Sequence, residues 1–370
     1  MQELLYYIAI LIYTSRVVYF FIGAAKERNK KSGNVNDADL PFVSIIIPAR
    51  NEELNLVECI ESVFSVDYPR EKFEVIIVDD RSSDSTPSLL LMQQFRFPNL
   101  ITARINSDGE KNLQGKAGAL DYGIQRAKGE ILLFTDADCT VHTQWVREHA
   151  KVYQDSKVAM VCAFTLIDGN NLFQKIQSVE WISTHTMASA SVYYKQFLGC
   201  FGNNLSIKTT MYKQLGGYAS IPFSVTEDLA LMQQVGKQRQ TIRYLCSIES
   251  SVKTKPCISF SEYLQQHKRW VRGATQLGWR ATVFVSTSMA FWVGLALSII
   301  TLHPWWFFGF LTLRLIGDYV VNAPTLSLLK RNYLLIYSFP TVIFFSLLEL
   351  SLPFMLLDPT ISWKGQKLKM

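Results

Sequence analysis

Apolar residues crowd both ends of the chain and gather in short runs between them. Leu4 to Ala25 is a nearly unbroken apolar stretch with Arg16 as its only charge, long enough to cross a bilayer as a helix. Lys26, Arg28, Lys30 and Lys31 follow at once, which by the positive-inside rule places the chain after them in the cytosol. A cleaved signal peptide would carry its basic residues before the apolar run. The expected anchor therefore covers residues 1–25, and the polar stretch 26–40, with Gly33 and several Asn and Asp, reads as a linker.

Beyond the linker the pattern shortens. Phe42 to Ile47 is a continuous apolar strand stopped by Pro48, and Leu56, Cys59, Ile60, Val63 and Phe64 then recur at helical spacing. Phe73 to Val78 and Ile131 to Phe134 are further apolar runs, too short for globular helices. Each strand ends in polar residues before a helical pattern. Repetition of this unit predicts an α/β, doubly wound, mostly parallel, Rossmann-like sheet over residues 41–258, with a binding crevice at the C-terminal ends of the strands. Residues 259–280 mix Phe260, Tyr263, Leu264 and Trp270 with Lys268, Arg269, Arg272 and Arg280, as helices lying in a membrane interface do. Residues 281–357 hold three apolar stretches: Ala281 to Leu302, Pro304 to Val321 with Arg314 and Asp318 four apart, and Leu334 to Leu357 interrupted by two prolines. Charges at that spacing inside a membrane pair and face the bundle interior. Residues 358–370 form a basic tail.

Composition supports this division. The chain has 370 residues, 49% of them apolar, and a net charge of +6. No basic stripe interleaved with aromatics appears, so nucleic acid is not expected as a partner. The six cysteines show no paired spacing, which indicates neither a disulfide framework nor a zinc site.

The candidate chemistry is acidic. Asp136 and Asp138 follow the strand Ile131 to Phe134 with one small residue between them, and two such carboxylates repel unless a cation sits there. Mg²⁺ takes one or two carboxylates together with substrate phosphate oxygens, so a metal-held diphosphate answers the need; two solvated loop carboxylates are the plainer alternative. Asp79 and Asp80 suit hydrogen bonding to a ribose or base, or helix capping. Gly115-Lys116-Ala117-Gly118 allows close backbone approach at a helix start and lacks the spacing of a nucleoside triphosphatase loop. Glu227 and Asp228 precede an apolar helical start, as a base or as helix caps. Phe201 to Ser206 carries Asn203 and Asn204 beside Gly202, a loop suited to a polar acceptor. His142, close after the metal strand, is a possible ligand or a surface histidine.

Pro48-Ala49-Arg50-Asn51-Glu52, Val78-Asp79-Asp80-x-Ser82-x-Asp84-x-Thr86, Gly115-Lys116-Ala117, Asp136-Ala137-Asp138, Thr226-Glu227-Asp228 and Gln266-His267-Lys268-Arg269-Trp270 stand in the order and approximate spacing of the family 2 glycosyltransferases of GT-A fold. This chain resembles that family over roughly residues 42–275. The resemblance implies a nucleotide-diphosphate sugar donor, expected to be UDP-linked, Mg²⁺ or Mn²⁺, and inversion at the anomeric carbon. Carried over by position, Pro48, Arg50, Glu52, Asp80, Lys116, Gln266 and Trp270 bind the donor, Asp136 and Asp138 hold metal and diphosphate, Asp228 is the general base beside Glu227, and Arg269 meets the departing diphosphate. Processive members carry Cys-Gly where this chain has Gly202-Asn203-Asn204, and the apolar C-terminal part is small. Both favour single transfer to a membrane lipid or lipid-linked acceptor, as in ceramide glucosyltransferase-like enzymes, over polysaccharide synthesis. A non-catalytic donor-binding scaffold and a transporter are the readings from other classes.

Overall fold

The computed structural model describes residues 2–31, 33, 35–111, 113–357, 360–363 and 366–368. In chain order the elements are α1 (Gln2–Arg28), β1 (Val43–Ala49), α2 (Leu56–Phe64), β2 (Phe73–Asp80), α3 (Thr86–Arg96), β3 (Leu100–Ile105), α4 (Gly115–Ile124), β4 (Ile131–Phe134), β5 (Thr140–Val141), α5 (Trp145–Val152), β6 (Val158–Ala163), β7 (Thr165–Ile167), α6 (Leu172–Tyr193), β8 (Leu205–Lys208), α7 (Thr209–Gln214), α8 (Glu227–Lys237), β9 (Thr241–Leu245), β10 (Val252–Thr254), α9 (Phe260–Ala274), α10 (Trp279–Ile300), α11 (Pro304–Leu328) and α12 (Ser338–Met355). The first helix runs past the expected anchor to Arg28, so the linker begins later than its composition suggested. The basic tail contains a short hairpin, Ile361–Trp363 with Gln366–Leu368.

Seven strands form one sheet in the order β3-β2-β1-β4-β8-β6-β9. All neighbours are parallel except β8, which runs antiparallel to both β4 and β6. That single reversal matters. Because Phe134 at the end of β4 pairs with Leu205 at the start of β8, the residues leaving β4 and those entering β8 emerge at the same edge. The strands are apolar throughout because both faces are covered. Ile46, Ile76, Val78, Leu132 and Phe134 pack toward α4 and α6, while Ile45, Ile47, Val75, Ile77 and Leu133 pack toward α2 and α5. Full burial of each such side chain contributes about 1.5–3 kcal/mol. A second sheet, β5-β10-β7, closes the domain beside the end of β4.

Three helical segments are long and apolar enough to cross a membrane: Glu3–Arg28, Trp279–Ile300 and Asn332–Ser351. With α11 they pack into a bundle whose outward faces carry Leu4, Leu11, Val283, Ile299, Trp305, Ile316, Ile343 and Leu347, all exposed. Its inside is held by an ionic knot. Arg314 bonds Asp318 at 3.1 Å, as the four-residue spacing predicts, and also grips both oxygens of Glu349 on α12 at 3.2 Å. Glu349 further accepts from Ser288 and Trp292 on α10. Pro324 is accommodated within α11, which continues to Leu328.

The bundle is fastened to the α/β domain. α6 lies along α1, where Gly23 leaves room for Tyr194 and the Ala190 carbonyl. At the C-terminal end of α1, buried Glu27 accepts from the backbone N–H of Tyr244 at 3.1 Å and pairs with Arg243 at 3.2 Å, both on the edge strand β9.

Candidate active site

A cleft of about 720 Å³ opens at the C-terminal ends of β1 and β4, lined by Pro48, Arg50, Glu52, Lys116, Asp136, Asp138, Gly202, Asn203, Glu227, Asp228, Gln266, Arg269 and Trp270, among others. Thus residues that are up to 222 positions apart (270 minus 48) meet in one space. The loops that bring them there are braced by reciprocal hydrogen bonds. Asn51 N–H donates to Ser82 Oγ and Ser83 N–H to Asn51 Oδ1, both at 2.9 Å, while Glu52 N–H reaches Thr86 Oγ1 at 2.8 Å. Asp84 accepts from Thr86 and Glu53 N–H, which hold its carboxyl below the usual range against the opposing effect of burial. Asp84 is therefore a loop brace.

Lys116 sits at the start of α4 and reaches Asp136 at 2.6 Å and Glu227 at 3.7 Å. The carboxylates raise its pKa against burial, which lowers it. Gly118 serves its own loop: a Cβ there would lie 2.0 Å from the Leu113 carbonyl oxygen. Glu227 and Asp228 open α8. Asp228 Oδ2 accepts from Gly202 N–H at 2.5 Å and Oδ1 from Leu229 N–H at 2.7 Å. Burial, reinforced by the adjacent charge of Glu227, pushes the Asp228 carboxyl up to about 7. Burial also raises Glu227, with Lys116 pulling the other way. Gly202 makes the approach possible, since a Cβ would stand 3.3 Å from both Asp228 Oδ2 and Lys116 Nζ. Gly273 plays the same part behind α8: any side chain there would strike Thr226.

On the far wall, Trp270 packs with Trp181 and Phe201, ring centroids 4.9 and 6.1 Å away. Gln266 lies beside Cys257, whose thiol contacts Oε1 at 3.7 Å.

Three candidate residues lie elsewhere. Asp80 is 1% exposed and does not line the cleft; its oxygens are held by Lys111 at 2.7 Å and Arg81 at 2.9 Å. Its carbonyl accepts from Arg50, which lines the cleft, at 3.3 Å. In this structure the three acids at 80, 138 and 228 do not share one cavity; only the latter two do. Asn204 is wholly buried. It accepts from Trp145 Nε1 and His149 Nε2 and donates to the Phe164 and Ser250 carbonyls, which uses its amide fully as a core brace. Asn203, one residue away and therefore on the opposite side of the entering chain, faces the cleft and accepts from Thr165 Oγ1 at 2.8 Å. His142 caps its own turn, Nδ1 accepting from Gln144 N–H, and stands outside the cleft.

Among the described residues no group of three or more His, Cys, Asp or Glu side chains is arranged to hold a metal. Asp136 and Asp138 are two hard oxygen donors opening onto the cleft, which fits an ion shared with a donor diphosphate rather than one caged by protein alone.

A mostly parallel α/β sheet with paired aspartates after its central strand, facing an acid pair at a helix start across one cleft, is the GT-A arrangement. Residues 44–229 match glycosyl transferase family 2, and the chain belongs to that family. Among curated proteins it is similar to glycosyltransferase AglE of Haloferax volcanii, 33% identical over 45% of this chain and 58% of that one. It is also similar to the beta-monoglucosyldiacylglycerol synthase of Trichormus variabilis, 26% identical over 64% of this chain and 50% of that one. The chain thus spans about half the length of the curated relatives it matches. The solved structure of mannosyltransferase PcManGT from Pyrobaculum calidifontis, in complex with GDP-Man and Mn2+, shares the fold with a TM-score of 0.58 at 17% identity, covering 93% of this chain and 99% of that one.

Proposed function

We propose that this protein transfers a sugar from a nucleotide-diphosphate donor to a hydroxyl of a membrane lipid or lipid-linked acceptor, with inversion at the anomeric carbon. The observation that carries the reading is the meeting of Asp228, Glu227, Lys116 and Asp136 in one cleft, with Asp228 tuned to about 7. An acceptor hydroxyl is a poor nucleophile, so a carboxylate must take its proton as the new bond forms, and a base with a pKa near the working pH does so best. Asp228 has that property. Hydrogen bonds from Gly202 N–H and Leu229 N–H hold its two oxygens at the cleft wall. Displacement from the side opposite the leaving diphosphate gives inversion. Lys116 and Arg269 offer positive charge to the departing group in a partly enclosed site. Asp136 and Asp138 would hold Mg²⁺ or Mn²⁺, which when bound neutralises charge on the diphosphate; the PcManGT complex, of shared fold, contains Mn2+.

A lipid acceptor is supported by the mouth of the cleft. Ile258 and Phe223 line it and are exposed, Phe260 beside them likewise, and Arg272 on α9 bonds the Leu356 carbonyl just beyond α12. An apolar lip with basic side chains beside apolar helices suits the bilayer interface. The name of the Trichormus variabilis relative, a beta-monoglucosyldiacylglycerol synthase, agrees with a lipid acceptor. The bundle interior is filled by Tyr6, Tyr13, Phe291 and Phe310 and the Arg314 knot, which favours single transfer over export of a growing polymer. We place α1 with its basic end, and the α/β domain with it, on the cytosolic side.

The test is turnover by the purified protein in detergent, read as nucleoside diphosphate release, against UDP- and GDP-sugars with lipid acceptors. Asp228→Asn is expected to lower kcat by about 10²- to 10⁴-fold with donor affinity retained. Full activity in that variant would sink the base assignment, and long saccharide products would replace the single-transfer reading.

A further inference from the structure

Three residues on one face of α6 grip α9. Gln177, Glu180 and Trp181, at helical spacings of three and four, are all buried. Gln177 accepts from Cys257 N–H at 2.9 Å and donates to the Cys257 carbonyl at 3.1 Å, which fixes the chain entering α9. Trp181 packs on Trp270. Glu180 is held twice: Oε2 accepts from Tyr263 Oη at 2.5 Å, and Oε1 lies 2.5 Å from His267 Nε2. Nδ1 of His267 donates to the Tyr263 carbonyl at 2.9 Å, since a carbonyl only accepts. One further proton must then lie between Nε2 and Oε1, because two bare lone pairs at that distance would repel.

Tyr263 and His267, one turn apart, do not line the cleft, whereas Gln266, Arg269 and Trp270 of the same helix do. We propose that Glu180 is a positioning residue that, through Tyr263 and His267, sets the rotation of α9 about its axis and thereby aims Gln266, Arg269 and Trp270 at the reacting groups. Its consequence for turnover rests on the function proposed above. The leverage is large: a side-chain tip roughly 8 Å from a helix axis moves about 3 Å for a 20° rotation. Misplacement by about 1 Å can cost 10²-fold in rate.

The carboxylate acts here through hydrogen bonds, so an amide can replace it. In Glu180→Gln the amide NH₂ donates to neutral Nε2 and the amide oxygen accepts from Tyr263; Glu180→Leu keeps the bulk and loses both. The experiment is hydrogen exchange across residues 260–274 of the full chain in detergent, alongside kcat and KM. Glu180→Leu is expected to raise exchange in α9 at least tenfold and lower kcat at least thirtyfold with donor KM within twofold. Glu180→Gln is expected to stay within threefold of the unaltered protein in each. Unchanged exchange in the leucine variant, or a glutamine variant as loose as the leucine one, overturns the proposal. Should the leucine variant not fold, Tyr263→Phe, which removes one hydroxyl, decides: threefold faster exchange supports it and unaltered exchange refutes it. Exchange is read without catalysis, so a failure of sugar transfer in the unaltered protein would count against the proposed function alone.

Discussion

Replacing Glu227 by Gln removes one of the two effects that raise Asp228. The Asp228 carboxyl moves from its ordinary 3.8 to about 7, roughly three pH units or about 4 kcal/mol of preference for the protonated form. Burial is the larger cause and Glu227 the second. Lys116, 3.7 Å from Glu227, already neutralises part of that neighbour's charge. Glu227 therefore supplies the smaller share of the rise. The sign follows from the role: a base works when deprotonated, so kcat/KM for acceptor falls as pH drops through the Asp228 pKa. Without Glu227 that pKa is lower, and the acid limb should move downward from near pH 7. The assay is nucleoside diphosphate release between pH 5 and 9 at saturating donor, as a ratio of variant to unaltered protein at each pH. A limb that stays in place or moves upward would refute both the proton-acceptor role of Asp228 and the electrostatic origin of its shift.

Four further outcomes follow from the same structure. A carboxyl with a raised folded-state pKa costs stability above that pKa, so Asp228→Asn should raise the melting temperature by a few degrees at pH 8 and leave it unchanged at pH 3, where both states are protonated; differential scanning fluorimetry reads this. Asn204→Ala should cost about 2–4 kcal/mol of stability by stripping partners from Trp145, His149 and two carbonyls, while acceptor KM in the surviving folded protein stays unchanged. Arg314→Leu leaves Glu349 without its cation and should cost about 3–5 kcal/mol, seen as loss of monodisperse protein in gel filtration. Chelation should abolish turnover and added Mn²⁺ or Mg²⁺ restore it, and Asp138→Asn should raise the metal concentration required at least tenfold.

Much of this architecture is legible in the residues. Continuous apolar runs mark β1, β2 and β4 because a sheet covered on both faces needs no polar side, and Pro48 and Asp136 mark where each strand delivers chemistry. What stays hidden is decided by direction and by distant partners. Asn203 and Asn204 are equivalent by composition, yet successive residues of an extended chain point oppositely, and only the antiparallel course of β8 settles which one meets the cleft. Asp80 has the motif of a nucleotide ligand, but its orientation is set by Lys111, 31 residues on, which no local pattern announces. Glu349 lies in an apolar stretch whose prolines draw the eye, and its importance emerges only when α11 places Arg314 against it. The Glu180 and His267 pair is equally silent, since both residues are ordinary until α6 and α9 cross.

The contact of Glu27 with β9 bears on how this protein can be prepared. Cutting away the first helix to obtain a water-soluble fragment would uncover the outermost strand of the sheet, free the Tyr244 N–H and leave Arg243 without its counter-ion. Bare edges of that kind pair with one another. Precipitation of such a fragment would report a missing cover rather than a defective catalytic domain, and detergent extraction with the first helix retained is the sounder route.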